Sequence, residues 1–297
     1  MLNTKNSFNN KQIAVLITCH NRCDTTIACL EALYQQDTVF DVFLVDDGSS
    51  DGTTDAVISN YPKVNIIKGS GDLFWVGGMR VAFAKALKDN YSYYFWLNDD
   101  TLLEPNALSK LLNAHQVLIE RNYPNSIVVG SAKDPATGEH TYGGTVHSKG
   151  WFSNTFKSIK PDRELKECDT MQGNIVLIPS SVAEKVGNLD AAFIHTMGDL
   201  DYGLRARKLG CSVWIAPGYM GVCSRNYVNG SWADTSLSWI ERLRKVVQTK
   251  AFPINAWTVF VKRHSGNFWF IYWTFPYLRA SIGYRNLSVS SFKKSKG

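Results

Sequence analysis

Residues 93–100, Tyr-Tyr-Phe-Trp-Leu-Asn-Asp-Asp, constrain the fold most tightly: five large apolar residues in succession stop on an amide and two adjacent carboxylates. An apolar run without alternation fits a strand covered on both faces, as in a parallel sheet with helices on either side. Open sheets of that kind gather ligands beyond the carboxyl ends of their strands, where Asn98, Asp99 and Asp100 fall. Two carboxylates there can hold a hard divalent cation through oxygen and present it to a phosphate. The same residues also suit a solvated turn, because Thr101-Leu102-Leu103-Glu104 before Pro105 is a good helix start.

The flanking chain repeats the pattern. Residues 13–18 form an apolar run that ends on Cys19-His20-Asn21-Arg22, with a helix expected over 25–36. Val42-Phe43-Leu44-Val45 ends on Asp46-Asp47-Gly48-Ser49-Ser50-Asp51-Gly52-Thr53, and a helix follows to about Asn60. A strand over 64–68, the loop Gly69-Ser70-Gly71-Asp72 and a helix over 78–88 lead into the run at 93. Beyond it the pattern predicts a helix over 105–122, strands at 127–130 and 174–178, and an irregular stretch over 133–170 that includes Trp151-Phe152. Ser181-Val182-Ala183-Glu184 reads as a capping box, Gly187 as the stop of its helix, and 198–210 as a helix acidic at its start and basic at its end. Alternating strands and helices predict an α/β fold, a mostly parallel central sheet flanked by helices.

Charge divides the chain. Residues 1–240 carry 21 Lys and Arg against 25 Asp and Glu, and residues 241–297 carry 11 against 1. A basic tail on an acidic body points to an anionic surface for the tail alone. The six cysteines show no C-x-x-C pair, which argues against a zinc site or a disulfide framework. The polar, Asn-rich residues 1–11 have no apolar segment and so no signal-peptide core.

Three acidic clusters follow strand ends: Asp46-Asp47, Asp99-Asp100, and Asp199 with Asp201. With Ile17-Thr18-Cys19-His20-Asn21-Arg22, Leu97-Asn98-Asp99-Asp100 and Gly198-Asp199-Leu200-Asp201-Tyr202-Gly203-Leu204-Arg205, they give residues 12–225 a pattern that resembles the family-2 inverting glycosyltransferases of the GT-A (Rossmann-like) fold, of the type that builds bacterial surface polysaccharides. The resemblance implies a domain over 1–231 that transfers a sugar from a UDP- or dTDP-sugar to a hydroxyl of a glycan, lipid-linked and at the inner face of the cell membrane. It assigns Thr18, Asn21, Arg22, Asp47, Asp99 and Arg225 to the donor, Asp100 to Mn2+ or Mg2+, and Asp199 to the catalytic base, with Asp46 shaping its turn. Trp75, Gly173, Asn174 and His195 would face the acceptor. Three departures accompany the match: Gly198-Asp199 replaces Glu-Asp, Gly221–Asn226 lacks a His common in relatives, and Gly77-Gly78-Met79-Arg80 stands where an Asn is usual.

Other readings attach to the same residues. Asp201 and Arg205, four apart on a helix, fit a surface pair, and Trp75 fits core packing. Cys19-His20 suggests nucleophilic chemistry, but no oxyanion site accompanies it. A sugar-nucleotide pyrophosphorylase would place a Gly-rich basic loop where Thr18–Arg22 stand, whereas a non-catalytic glycan-binding module would tolerate loss of the base.

Residues 232–297 predict a helical extension. Leu237, Ile240, Leu243 and Val247 recur at helical spacing over 236–250 among Arg242, Arg244 and Lys245. Residues 267–278 are nearly all apolar, too short to span a bilayer and broken by Pro276. Basic, aromatic, amphipathic segments suit an anionic membrane surface, or the extension packs on the core or on a second copy as a homodimer. No nucleic-acid-binding module is visible.

Overall fold

The computed structural model describes residues 11–147, 155–225 and 230–282. The expected aromatic piece Trp151-Phe152 and the polar start of the chain lie outside them. Two compact units divide between Arg225 and Asn226.

In the first unit β1 (Lys11–Cys19), α1 (Cys23–Tyr34), β2 (Phe40–Asp46), α2 (Thr53–Asn60), β3 (Asn65–Lys68), α3 (Phe74–Ala86) and β4 (Tyr91–Leu97) alternate. β5 (Leu102–Leu103), α4 (Ala107–Glu120), β6 (Ser126–Lys133), β7 (His140–Tyr142), β8 (Gly144–His147), β9 (Phe156–Ser158), β10 (Lys166–Cys168), β11 (Thr170–Met171) and β12 (Ile175–Pro179) follow. α5 (Ser180–Val186), α6 (Gly198–Lys208) and β13 (Ser212–Val222) complete it. The main sheet runs β10-β13-β6-β12-β4-β1-β2-β3. β1 pairs in parallel with β2 and β4, and β2 with β3. β12 is antiparallel to β4 and β6 while β13 is parallel to β6, so the mostly parallel sheet of the sequence reading stands, with its antiparallel pairs in the second half. Ile13–Ile17, Phe95, Trp96 and Leu97 have no exposed surface, as strands covered on both faces require.

Hydrogen bonds between segments distant in the chain account for boundaries that differ from the sequence reading. α3 starts at Phe74, not 78, because Asp47 accepts the amides of Leu73 at 2.9 Å and Phe74 at 3.0 Å and so anchors its first turn. The sequence analysis predicts no strand over β13, whose Pro217-Gly218 is a turn dipeptide. The chain instead absorbs that dipeptide as a bulge, and the pairing with β6 shifts register between Ile215 and Tyr219. The stretch 133–170 holds short strands, among them the separate sheet β11-β8-β9. The capping box expected at Ser181 is absent: α5 begins at Ser180 behind an extended Pro179 with no side-chain cap. Gly187 does end that helix, at φ 74°.

The second unit holds α7 (Trp239–Val246), α8 (Ile254–His264), a 3-10 turn over Gly266–Phe268 and α9 (Trp269–Ile282), with Pro276 inside α9. Ser238 and Glu241 form a capping box at the start of α7. Arg242 is buried and donates to Ala280 O at 2.8 Å and to Leu237 O, which ties α7 to the end of α9. Among the described residues no helix is long and apolar enough to cross a membrane.

Candidate active site

The carboxyl ends of β1, β2 and β4 converge as the sequence pattern requires. After β1, Asn21 adopts φ 49°, accepts the Ser50 amide at 2.8 Å on its side-chain oxygen and donates its own amide to Ser49 Oγ at 2.9 Å. The turn so fixed aims Arg22 at the end of β4. Arg22 Nη1 meets Asp99 Oδ1 at 2.9 Å and Nη2 meets Asp100 Oδ2 at 2.9 Å, one nitrogen to each acid. Asp99 is buried, and its second oxygen, Oδ2, has no hydrogen-bond partner among the described residues. Burial pushes the Asp99 carboxyl up to about 7; Arg22 pulls it down and Asp100 pushes it further up. Cys223, just past β13, donates its thiol to Asp100 Oδ1 at 3.5 Å, and Asn174 Nδ2 reaches the same sulfur at 3.6 Å.

The adjacent acids of β2 have structural partners. Asp46 accepts the Ser49 amide at 2.9 Å and the Thr54 hydroxyl, and it shapes the turn as expected. Asp47 is buried too: Oδ1 accepts Gly71 N at 2.7 Å and Oδ2 accepts Leu73 N and Phe74 N. His20 Nδ1 lies 2.6 Å from Asp47 O, a backbone contact rather than a nucleophile's base. Thr18 packs against Gly78, where a Cβ would overlap its hydroxyl. Close passage of α3 over β1 therefore requires glycine at that departure from the family pattern.

Asp199 stands in the first turn of α6. Its Oδ2 accepts Gly173 N at 3.0 Å and its Oδ1 accepts Leu200 N at 2.8 Å. Burial raises its pKa above the usual aspartate range, and the two amides pull it partly back. Trp96, Phe83 and Tyr202 hold α6 on the sheet, with Trp96 and Tyr202 ring centroids 5.0 Å apart. Trp75 spans the remaining gap: Nε1 donates to Asn98 Oδ1 at 2.7 Å, and the other end of the indole lies against Gly173. Asn98 N in turn donates to Asn174 O at 3.1 Å. Arg22, Asp99, Asp100, Cys223, Asn174, Asn98, Trp75, Gly173 and Asp199 thus form one continuous belt.

Two expected residues sit at its margin. The His195 ring lies 6.0 Å, edge on, from Phe74. Arg225 donates to Thr141 O on β7 at 3.3 Å. The surface pair expected for Asp201 and Arg205 is instead buried: Asp201 has no exposed surface, Arg205 Nε donates to it at 2.8 Å, and the other guanidinium nitrogens reach Val186 O and Asn188 O. Cys223 was not foreseen, and its signal was the missing His after β13. All six cysteines are free thiols.

The donor set suits a hard divalent cation, since the orphaned Asp99 Oδ2 and the Asp100 carboxylate are both oxygen ligands. Among the described residues no three or more His, Cys, Asp or Glu are grouped to hold a metal unaided. A cation here would take its remaining ligands from phosphate and water.

Residues 14–187 match the model of glycosyl transferase family 2. The uncharacterized proteins Rv1525 of Mycobacterium tuberculosis and Mb1552 of Mycobacterium bovis are each 23% identical over 213 residues, covering 66% of this chain and 74% of theirs. Among solved structures, the mannosyltransferase PcManGT from Pyrobaculum calidifontis, in complex with GDP-Man and Mn2+, superposes with a TM-score of 0.57 at 15% identity, over 92% of this chain and 74% of its own. GalNAc-T7 with UDP, GalNAc and Mn2+ gives 0.59 at 14% identity, over 80% of this chain and 50% of its own. At such identities the two structures speak for the fold, which is that of the GT-A glycosyltransferases, and the family match covers more than half of the chain. The chain belongs to glycosyl transferase family 2.

Proposed function

We propose that this glycosyltransferase moves a sugar from a nucleoside-diphosphate donor to a hydroxyl of a glycan acceptor, with inversion at the anomeric carbon and Asp199 as the base. The observation that carries the reading is the belt from Asp99 to Asp199, in which Trp75 connects the acid pair of β4 to the carboxylate of α6. Inversion by direct displacement needs one base beside the acceptor hydroxyl and one cationic group beside the leaving diphosphate. Asp199 suits the first role: two backbone amides fix its carboxylate, and desolvation strengthens it as a base. Arg22 suits the second, because a guanidinium fork pairs with phosphate oxygens as readily as with carboxylates.

Asp100 and Asp99 Oδ2 would hold Mn2+ or Mg2+, and such a cation supplies charge stabilisation to the departing diphosphate. Both solved neighbours contain Mn2+ together with a nucleotide or nucleotide sugar. Thr18, Asn21 and the buried Asp47 line the nucleotide side. Gly173, Asn174, Trp75 and His195 line the acceptor side, where an indole face suits a sugar ring.

The second unit we assign to an anionic membrane surface, which would place the enzyme at the inner face of the cell membrane beside a lipid-linked acceptor. Trp239, Ile240, Val247, Phe268 and Phe270 are all more than two-fifths exposed. Arg244, Lys245 and Lys262 lie among them in sequence, a composition suited to the headgroup interface. A thermal-shift panel of nucleoside diphosphates with Mn2+ tests the donor reading, since a ligand at 100 times its dissociation constant adds about 2.7 kcal/mol. A UDP or dTDP shift is the expected result; no shift with any nucleoside diphosphate would refute it.

A further inference from the structure

Arg22 gives one guanidinium nitrogen to Asp99 and another to Asp100, each at 2.9 Å. These acids are also the site's candidates for a divalent cation. We propose that Arg22 and the cation compete for the same two carboxylates, so that the cation enters together with the nucleoside diphosphate, which takes Arg22 over. The inference rests on the donor-site reading above.

Three features support a movable clamp. The Arg22 side chain is 44% exposed while Asp99 is 8% exposed, so the arginine is the partner free to leave. Its backbone is held: Thr26 N donates to Arg22 O at 2.9 Å, the next amide, Cys23 N, donates to Asp51 Oδ2 at 2.9 Å, and Asn21 is fixed by Ser49 and Ser50. Departure is therefore a side-chain swing. Finally, the clamp leaves Asp99 Oδ2 buried and without a hydrogen-bond partner among the described residues, so it does not saturate the acids.

Electrostatics sets the order of binding. The guanidinium already occupies both acids, and a divalent cation arriving alone meets a cation in its place. A diphosphate brings negative charge and a second bidentate acceptor for the arginine fork. With it, both cations have partners. Coupling of this kind is reciprocal: the nucleotide raises metal affinity by the factor by which the metal raises nucleotide affinity.

The test is calorimetric titration of Mn2+ into the full-length protein, without nucleotide and with saturating UDP, GDP or dTDP, for wild type, Arg22→Met and Arg22→Lys. Without nucleotide, Arg22→Met is expected to bind Mn2+ at least about tenfold tighter than wild type, within the usual range of coupling between sites. Arg22→Lys, which offers one point charge for two acids, should fall between them and carries the comparison should the methionine variant not fold. Nucleotide should raise Mn2+ affinity more in wild type than in either variant. Equal or weaker Mn2+ binding by the variants would overturn the competition, and nucleotide-dependent Mn2+ binding by wild type in the same titration would leave the donor-site reading standing. Tighter binding by the variants, with no protein responding to nucleotide, would uphold the competition and overturn the donor reading.

Discussion

Trp75 Nε1 donates to Asn98 Oδ1 at 2.7 Å while the opposite end of its indole lies on Gly173. One side chain thereby fixes the spacing between the acid pair after β4 and the peptide whose N–H holds Asp199. A methyl group on Gly173 would overlap that ring. Gly173→Ala should cost about 1–3 kcal/mol in stability through overpacking. It should also lower turnover by about 10²-fold, the typical effect of a displacement of about 1 Å at a reacting centre. Denaturant melts and initial rates on one preparation measure both.

The Asp201–Arg205 pair makes a prediction about stability alone. Asp201 is wholly buried and Arg205 also caps two carbonyls, of Val186 and Asn188. Removing the guanidinium breaks a buried ion pair and strips two carbonyls of their donor, which costs about 3–5 kcal/mol. Arg205→Leu should unfold at correspondingly lower denaturant. A change below about 0.5 kcal/mol, as expected of an exposed helix pair, would refute the buried role.

Membrane attachment by the second unit predicts co-sedimentation with anionic liposomes that weakens with salt, since exposed charges are screened over about 8 Å at physiological ionic strength. Trp239→Ser with Phe268→Ser should abolish sedimentation while nucleotide binding persists. Sedimentation unchanged in the double variant would contradict the assignment.

Asp199 also sets a pH dependence. A base must be ionised, and burial raises this carboxyl above the ordinary value of about 3.9. As pH falls, turnover should therefore begin to decline at higher pH than an exposed aspartate would allow. The linkage sign for folding is opposite to that of a salt-bridged acid: the folded state holds the proton more tightly, so this group's contribution to stability falls as pH rises through the raised pKa. A kcat–pH profile beside a melting series over the same range checks both.

The parallel half of the sheet was legible because β1, β2 and β4 are buried on both faces and their apolar runs have no competing period. The acids at their tips could be read from position alone. What each acid does could not, because Asp47 turns out to serve amides 24 to 27 residues away, at Gly71, Leu73 and Phe74, and no local pattern encodes that. β13 hid behind Pro217-Gly218, a turn signal overridden by pairing with β6 and β10. Arg242 looked like one more tail cation, yet it is a buried strut between helices, a role set by carbonyls at Leu237 and Ala280. Arg22 was assigned to the donor, and only the folded chain shows it clamped on Asp99 and Asp100.

The central claim is that Asp199 is the base, and the direct measurement is single-turnover sugar transfer by Asp199→Asn beside calorimetric donor binding. Both Asp199 oxygens accept amides, from Gly173 and Leu200, so the Asn side chain keeps one of these bonds and loses the other. The structural cost should be about 1 kcal/mol. Loss of general-base assistance should cost about 10²–10⁴ in rate, with donor affinity nearly unchanged. A variant that folds, binds donor and still transfers at more than about a tenth of the wild-type rate would contradict the assignment.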